Sequence, residues 1–283
     1  MASSWSSSLP RMDSKNLKGS TQPPNWLDLP REVTAMILQK LGAFDILMRI
    51  YPVCSVWRHI YEDPLMWRTL DMRILHTRHR RLTGHTLDKL CHRAVDRSNG
   101  LLEQIFLDQF VTADLLLHIV NRNHCIRVMR IKRCTISSEA LIEAAKKLRF
   151  LEELELSLFD DLTCKSLEAV GRNCSGLRSL KLNKVLPTRS YHQSHEGNNS
   201  QAFAIAKYMG ELRHLELLGN WLDGTSLVAI LDGCPHLESL DLRGCRFTLT
   251  VSLRRRCSQR IKRVCFPDEH IHDEYFQALC MRT

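Results

Sequence analysis

Eleven cysteines and thirteen histidines are the side chains of this 283-residue chain best suited to metal, redox or nucleophilic chemistry. Their spacing argues against all three. No two cysteines stand as C-x-x-C, the spacing by which one turn delivers two thiolates to zinc or to a redox pair. The histidines gather in "HTRHRRLTGH", with His76, His79 and His85, and in "YHQSHEG", with His192 and His195. Arginines crowd the first group, and neighbouring cations repel a metal cation. The second offers two ligands, too few for a coordination sphere. The phosphate-cradling G-x-x-x-x-G-K-[ST], the nucleophile elbow G-x-S-x-G and the zinc-helix H-E-x-x-H are all absent. We therefore expect no catalytic residue, no metal and no cofactor. The opening residues, rich in Ser, carry no apolar signal core, so reduced and mostly buried thiols are expected.

Charge and composition narrow the partners. Lys and Arg number 40 against 31 Asp and Glu, a formal charge of +9, which permits acidic partners without identifying one. The basic runs "RILHTRHRR" and "LRRRCSQRIKR" lack interleaved aromatics, so nucleic acid is not the expected partner. No apolar run approaches the roughly 18 residues of a membrane helix.

The elements that position these residues come from a repeat. The pattern L-x-x-L-x-L, with any large apolar residue at the fixed places, begins at Leu102, Ile126, Leu151, Leu177, Leu212, Leu237 and Ile261. Successive starts lie 24 to 26 residues apart, except for one interval of 35. Such spacing, about 20–29 residues, is that of leucine-rich repeats. "WRTLDM" from Trp67 offers a degenerate earlier strand. Between strands, "SSEALIEAAKKL", "CKSLEAVGRNC" and "GTSLVAILDGC" show helical apolar spacing. Each unit is thus a strand, a loop and a helix, and only stacking buries its apolar face.

Upstream, "LPREVTAMILQKLGAFDILMRIYPVCSVWRHI" carries more apolar residues than a segment of its length needs for itself. Pro30 suits a first helical turn and Gly42 a helix end, Asp45 offers a cap to a second helix through Tyr51, and a third runs from near Pro52 to Tyr61. Three helices in about forty residues sit near the size limit for an independent core.

Leu29-Pro30, Ile37-Leu38, Leu41, Asp45-Ile46-Leu47, Val53-Cys54, Trp57-Arg58 and "DPLMW" ending at Trp67 resemble the F-box. "CPHLESLDLRGC", with Cys234 before its strand and Cys245 after it, resembles the cysteine-containing leucine-rich repeat, as do Cys134 and Cys174 in their units. "AVDRSNG", "QAFAIAKYMGELRHLELLGN" and "AILDGCPHLESLDLRGC" resemble the plant branch of the F-box/leucine-rich-repeat family most. The resemblance implies an α/β chain: a three-helix F-box, then a curved leucine-rich-repeat solenoid with a parallel sheet on its concave face. The expected division is a disordered tail over 1–24, F-box over 25–72, a connecting segment or first helical layer over 73–100, and repeats over 101–283. It further implies a non-catalytic substrate adaptor of a ubiquitin ligase in the nucleus and/or cytoplasm. A Skp1-type protein, and through it a cullin–RING ligase, would dock on Leu29, Pro30, Ile37, Leu38, Leu41, Ile46, Leu47, Val53 and Trp57. The repeats would hold an unknown protein substrate, and the cysteines would pack or hydrogen-bond in the turns. Pro52 departs from the family pattern, since proline turns Tyr51 away from helix. Two alternatives stay open: a repeat scaffold working without a ligase, and a helical segment that merely caps the first repeat.

Within each strand motif the third and fifth positions face away from the buried leucines. The fifth positions Phe106, Arg130, Glu155, Lys181, Glu216 and Asp241 become lateral neighbours, with alternating sign from Arg130 to Glu216. They either pair with one another or present a patterned strip to a substrate. The long interval carries "NKVLPTRSYHQSHEGNNS", Asn183 to Ser200, whose polar composition predicts a loop, for recognition or simply solvated.

Overall fold

The L-x-x-L-x-L segments become strands in the computed structural model, which describes residues 28–50, 53–73, 82–159, 161–184 and 195–270. The strands are β1 (Thr69–Met72), β2 (Gln104–Asp108), β3 (Val128–Lys132), β4 (Glu153–Ser157), β5 (Ser179–Asn183), β6 (His214–Glu216), β7 (Ser239–Asp241) and β8 (Arg263–Cys265). They form one parallel sheet in sequence order. Helices α4 (Gly84–Arg97), α5 (Ala113–Arg122), α6 (Ser138–Ala145), α7 (Cys164–Asn173), α8 (His195–Tyr208), α9 (Gly224–Gly233) and α10 (Val251–Arg260) alternate with them. The degenerate "WRTLDM" segment is the first strand, pairing Leu70 with Ile105.

Register carries the core. Gln104, Val128, Glu153, Ser179, His214, Ser239 and Arg263 are successive partners across the sheet. The first, fourth and sixth motif positions therefore stack in columns, and Leu102, Ile126, Leu151, Leu177, Leu212, Leu237 and Ile261 are all buried. Burying a large aliphatic side chain contributes about 1.5–3 kcal/mol, so the columns supply the main stabilisation.

The helix starts are fixed by short polar side chains. Thr83, Thr112, Ser137, Thr163, Asp223 and Thr250 each accept a hydrogen bond from a backbone N–H in the first turn of the following helix. Strand exits show a second regularity. Gln109, Arg133, Leu158, Gly219 and Gly244 all take a left-handed backbone, φ between 54° and 73°. The residue after each turns inward. There Cys134 Sγ donates to Lys132 O at 3.0 Å, Cys245 Sγ to Leu217 O at 2.8 Å, and Asn220 Nδ2 to Leu182 O at 2.5 Å. Lys132 O also accepts from Gln109 N, and Leu217 O from Asn220 N, so these side chains add a second bond there, while Asn220 serves Leu182 O.

The N-terminal module comprises α1 (Arg31–Gln39), α2 (Ala43–Asp45) running into a π-turn at Ile46–Ile50, α3 (Ser55–Glu62) and a 3₁₀ turn at Pro64–Trp67. Three boundary expectations are corrected. Gly42 is the N-cap of α2, with φ −62°, and does not end α1. Asp45 lies inside its helix and pairs with Arg49 at 3.3 Å. The third helix starts at Ser55, because the Cys54 sulfur accepts from Trp57 N. Tyr51, Pro52 and the 1–24 tail lie outside the described residues. The module's core is continuous with that of the repeats. Trp67 Nε1 donates to Tyr61 O at 2.9 Å, the two rings meet edge-on at 5.5 Å, and Arg97 of α4 lies over Tyr61 at 4.4 Å.

The long interval is also corrected. Asn183 is a buried strand residue, and residues 195–200 already belong to α8, while 185–194 lie outside the described residues. Glycines on both sides let α8 approach its neighbours. A Cβ on Gly171 would lie 2.6 Å from Tyr208 Cβ, and one on Gly233 would lie 2.1 Å from Ala206 O. Replacing Gly233 with Ala must separate α9 from α8. We expect a loss of about 1–3 kcal/mol, read as a lower midpoint in thermal or urea unfolding.

The ten described cysteines are free thiols. Burial pushes Cys134, Cys174 and Cys245 up to about 12 and Cys234 up to about 11, whereas Cys125 is exposed. A higher pKa means less thiolate, so at pH 8 these four thiols hold roughly two to three orders of magnitude less nucleophile than an ordinary one. Timed alkylation with peptide mapping should label Cys125 first and the four buried thiols only after unfolding. Their early labelling in folded protein would contradict the packing.

Candidate functional site

Two surfaces are candidates, and the structure sorts the sequence-derived residues on each. On the N-terminal module, helical phase separates an inner from an outer set. Leu38, Ile46 and Leu47, three of the expected partner contacts, are buried in the chain's own core. They point inward with Thr34, Phe44 and Ile60. Leu29, Ile37 and Trp57 are half-buried, while Pro30, Leu41 and Val53 are exposed. The outer set also includes Val33 and Met36 on α1, Val56 on α3, Met48 and Leu65. Met36, Val53 and Leu65 are 62%, 54% and 56% exposed. Met36 and Leu65 were absent from the sequence-derived set, although the period that puts Thr34 and Leu38 inside puts Val33 and Met36 outside. Helices α1 and α3 pack together, and each keeps uncovered apolar side chains.

On the concave face the register places Phe106, Arg130, Glu155 and Lys181 side by side, followed by Glu216 and Asp241. The charges pair with one another. Lys132 Nζ lies 2.9 Å from Glu155 Oε1, Arg130 binds Glu153 at 3.0 Å, Lys181 binds Glu216 at 2.7 Å and Arg243 binds Asp241 at 2.7 Å. Glu155 is 4% exposed and also accepts from Ser157 Oγ at 3.0 Å. Among the expected substrate contacts, Glu155 has its carboxylate buried among its own partners. Phe106 is half-buried, with the guanidinium groups of Arg73 and Arg130 at 5.1 and 5.3 Å from its ring centre. Strand-exit residues complete the face, with Arg133 paired to Asp108 and Asn183 Nδ2 donating to Glu216 at 2.6 Å.

Elsewhere, three arginines of the basic run on α10 are held by partners. Arg254 pairs with Asp268 at 2.6 Å, Arg256 pairs with Asp232, and Arg260 donates to Cys234 O at 3.2 Å. From the other run only Arg73 is described, paired with Asp71. Among the described residues no group of three or more His, Cys, Asp or Glu is placed to hold a metal, and no helix is long and apolar enough to cross a membrane. His76, His79 and His192 lie outside the described residues.

Comparison with known proteins follows the same division of the chain. Residues 26–73 match the F-box-like family. F-box protein SKIP19 of Arabidopsis thaliana is 43% identical over 251 residues, covering 88% of this chain and 79% of that protein. F-box/LRR-repeat protein 22 of the same plant is 39% identical over 261 residues, covering 91% and 81%. F-box/LRR-repeat protein 23 is 40% identical over 268 residues, covering 93% of this chain and 58% of its own length.

The concave pairs make a stability prediction. Replacing Glu155 with Ala leaves Lys132, Arg130 and Ser157 short of an acceptor in a poorly solvated place. The expected cost is about 1–3 kcal/mol by urea unfolding, while exposed Arg149→Ala should leave the midpoint unchanged. Equal midpoints for Glu155→Ala and the parent would show that the ladder contributes nothing.

Proposed function

Because this chain belongs to the F-box/leucine-rich-repeat family, in its plant branch, we propose that it is the substrate-recognition adaptor of a Skp1–cullin–F-box type ubiquitin ligase. The outer apolar set of the N-terminal module would bind the Skp1-type protein, the solenoid would hold the protein to be modified, and the cullin–RING enzymes would supply the catalysis. Such an adaptor would act where those proteins are, in the nucleus and/or cytoplasm.

One observation carries the reading: the module keeps large apolar side chains uncovered after its own needs are met. If it served only to cap the first repeat, its apolar residues would face the solenoid. Tyr61, Met66 and Trp67 do that and are buried. Met36, Val53 and Leu65 do not, and each stays more than half exposed. Uncovered apolar residues grouped on one small module favour a protein partner. A scaffold working without a ligase has no use for this second surface.

Replacing Met36 and Val53 together with Asp should weaken binding to a purified Skp1-type protein by about 2 kcal/mol or more. Folding should be unaffected, because both side chains already face water. Leu38→Ala, by contrast, should cost about 2–5 kcal/mol of stability. Calorimetric titration and thermal unfolding of the same preparations separate the two effects. Failure of the parent protein to bind any Skp1-type partner would remove the adaptor reading.

A further inference from the structure

The concave charges satisfy each other, whereas other charged and apolar side chains are left over. They meet on the rim where the chain enters the strands. The residue preceding each repeat's first buried leucine stands three places before the aligned Gln104, Val128, Glu153 and Ser179, and repeat by repeat these are Leu101, Cys125, Phe150 and Gly176. Of these, Leu101 and Phe150 are 43% and 61% exposed. The next member is Gly176, whose nearest neighbour for an added Cβ is Leu151 O at 3.8 Å. Glycine thus leaves the far flank of Phe150 without a covering side chain.

Two places further along the chain runs a charged column. Arg127 pairs with Glu152 at 2.5 Å, and Arg213 pairs with Glu238 at 3.1 Å. Arg178 stands between these pairs, its backbone N–H bonded to Glu152 O and its carbonyl to Arg213 N. The carboxylate on one side is held by Arg127, and the neighbour on the other side is a like charge. Among the described residues the guanidinium of Arg178 has no side-chain partner, and neither has that of Arg149, beside Phe150.

We infer that this entry rim, between β4 and β5, is a docking surface for a short acidic segment of another protein. A bulky apolar residue of that segment sits on Phe150 over Gly176, and carboxylates meet Arg178 and Arg149. Guanidinium forks match single carboxylates in bidentate fashion. The interleaved Glu152 and Glu238 oppose a continuous polyanion, which sets an acidic peptide ahead of nucleic acid. The inference deepens the adaptor reading by naming the chemistry of a recruited segment; only the identification of that segment as substrate rests on that reading.

The test uses the full chain and an array of short synthetic peptides combining Asp or Glu with Leu, Met or Phe. Matched peptides carry Lys or Arg for the acids, or Ser for the apolar residue, and a single-stranded oligonucleotide is included. Retention is expected on acidic–apolar peptides only. Arg178→Glu and Phe150→Ser should each weaken the best of these by about tenfold or more in fluorescence anisotropy, with melting and binding of a Skp1-type protein unchanged. No retention on acidic–apolar peptides, equal retention on the basic set, preference for the oligonucleotide, or affinity indifferent to both substitutions would each overturn the inference. Peptide binding that persists in a protein unable to bind any Skp1-type partner would keep the rim and discard the adaptor.

Discussion

Parallel register is the constraint on which the rest of this structure depends. Strands about 4.8 Å apart bring equivalent residues of every repeat into lateral contact. Apolar residues gain from that repetition, and the apolar columns run from β2 to β8, where Val264 is half-buried. Charged residues do not, because a column of one sign would repel itself at every step. The sequence answers with alternation: Arg130, Glu155, Lys181 and Glu216 within the sheet, and Arg68, Glu103, Arg127 and Glu152 at its entry. Alternation fails where Arg178 meets Arg213, the step between β5 and β6 that also carries the long interval. A place where a repeating rule lapses without a compensating pair is where an external partner gains most.

The same stacking explains how a small helical module stands at the head of the solenoid. Too little of it is buried by its own helices alone, so its C-terminal part is shared with the first repeat. Tyr61 and Trp67 brace each other, Arg97 covers Tyr61, and β1 follows at once. There is no loose linker between Trp67 and Thr69, so the outer face of the module is held at a fixed orientation to the concave sheet and its rims. A protein that joins two partners benefits from that rigidity, since positioning without a flexible joint avoids an entropic cost at each encounter.

The repeat, its strand phase and the buried columns were legible in the sequence, because spacings of 24 to 26 residues and three fixed apolar places leave little choice. The first strand was legible only as a degenerate match, because Trp67 occupies the leading place as an anchor for the module. The module's helix ends were less legible. Gly42 reads as a helix stop, yet its φ of −62° asks nothing of glycine, and it opens the next helix. The module's exposed apolar face was half legible. Leu38, Ile46 and Leu47 carry a family signature, but a signature residue can be the one that holds the module together rather than the one that touches a partner. Helical phase, with Thr34 and Leu38 inside, was the signal for Met36. The left-handed strand exits at Gln109, Arg133 and Leu158 carry no such signal, since no glycine marks them.

The arrangement of charge also decides which surface is free to recognise another chain. A partner approaching the concave strip must displace pairs that already exist, such as Lys132 with Glu155 and Lys181 with Glu216. It exchanges one ion pair for another and pays to expose Glu155, so the net gain is small. Because the concave charges are matched, they contribute little to the chain's surplus of +9. At the rim, Arg178 and Arg149 have no side-chain partner among the described residues. A carboxylate meeting either one displaces solvent alone, and an apolar neighbour seated on Phe150 adds burial that no existing contact must be broken to obtain. The concave sheet, the face that curvature first suggests for binding, is thus better suited to holding the solenoid's shape, and the unmatched charges lie at its edges.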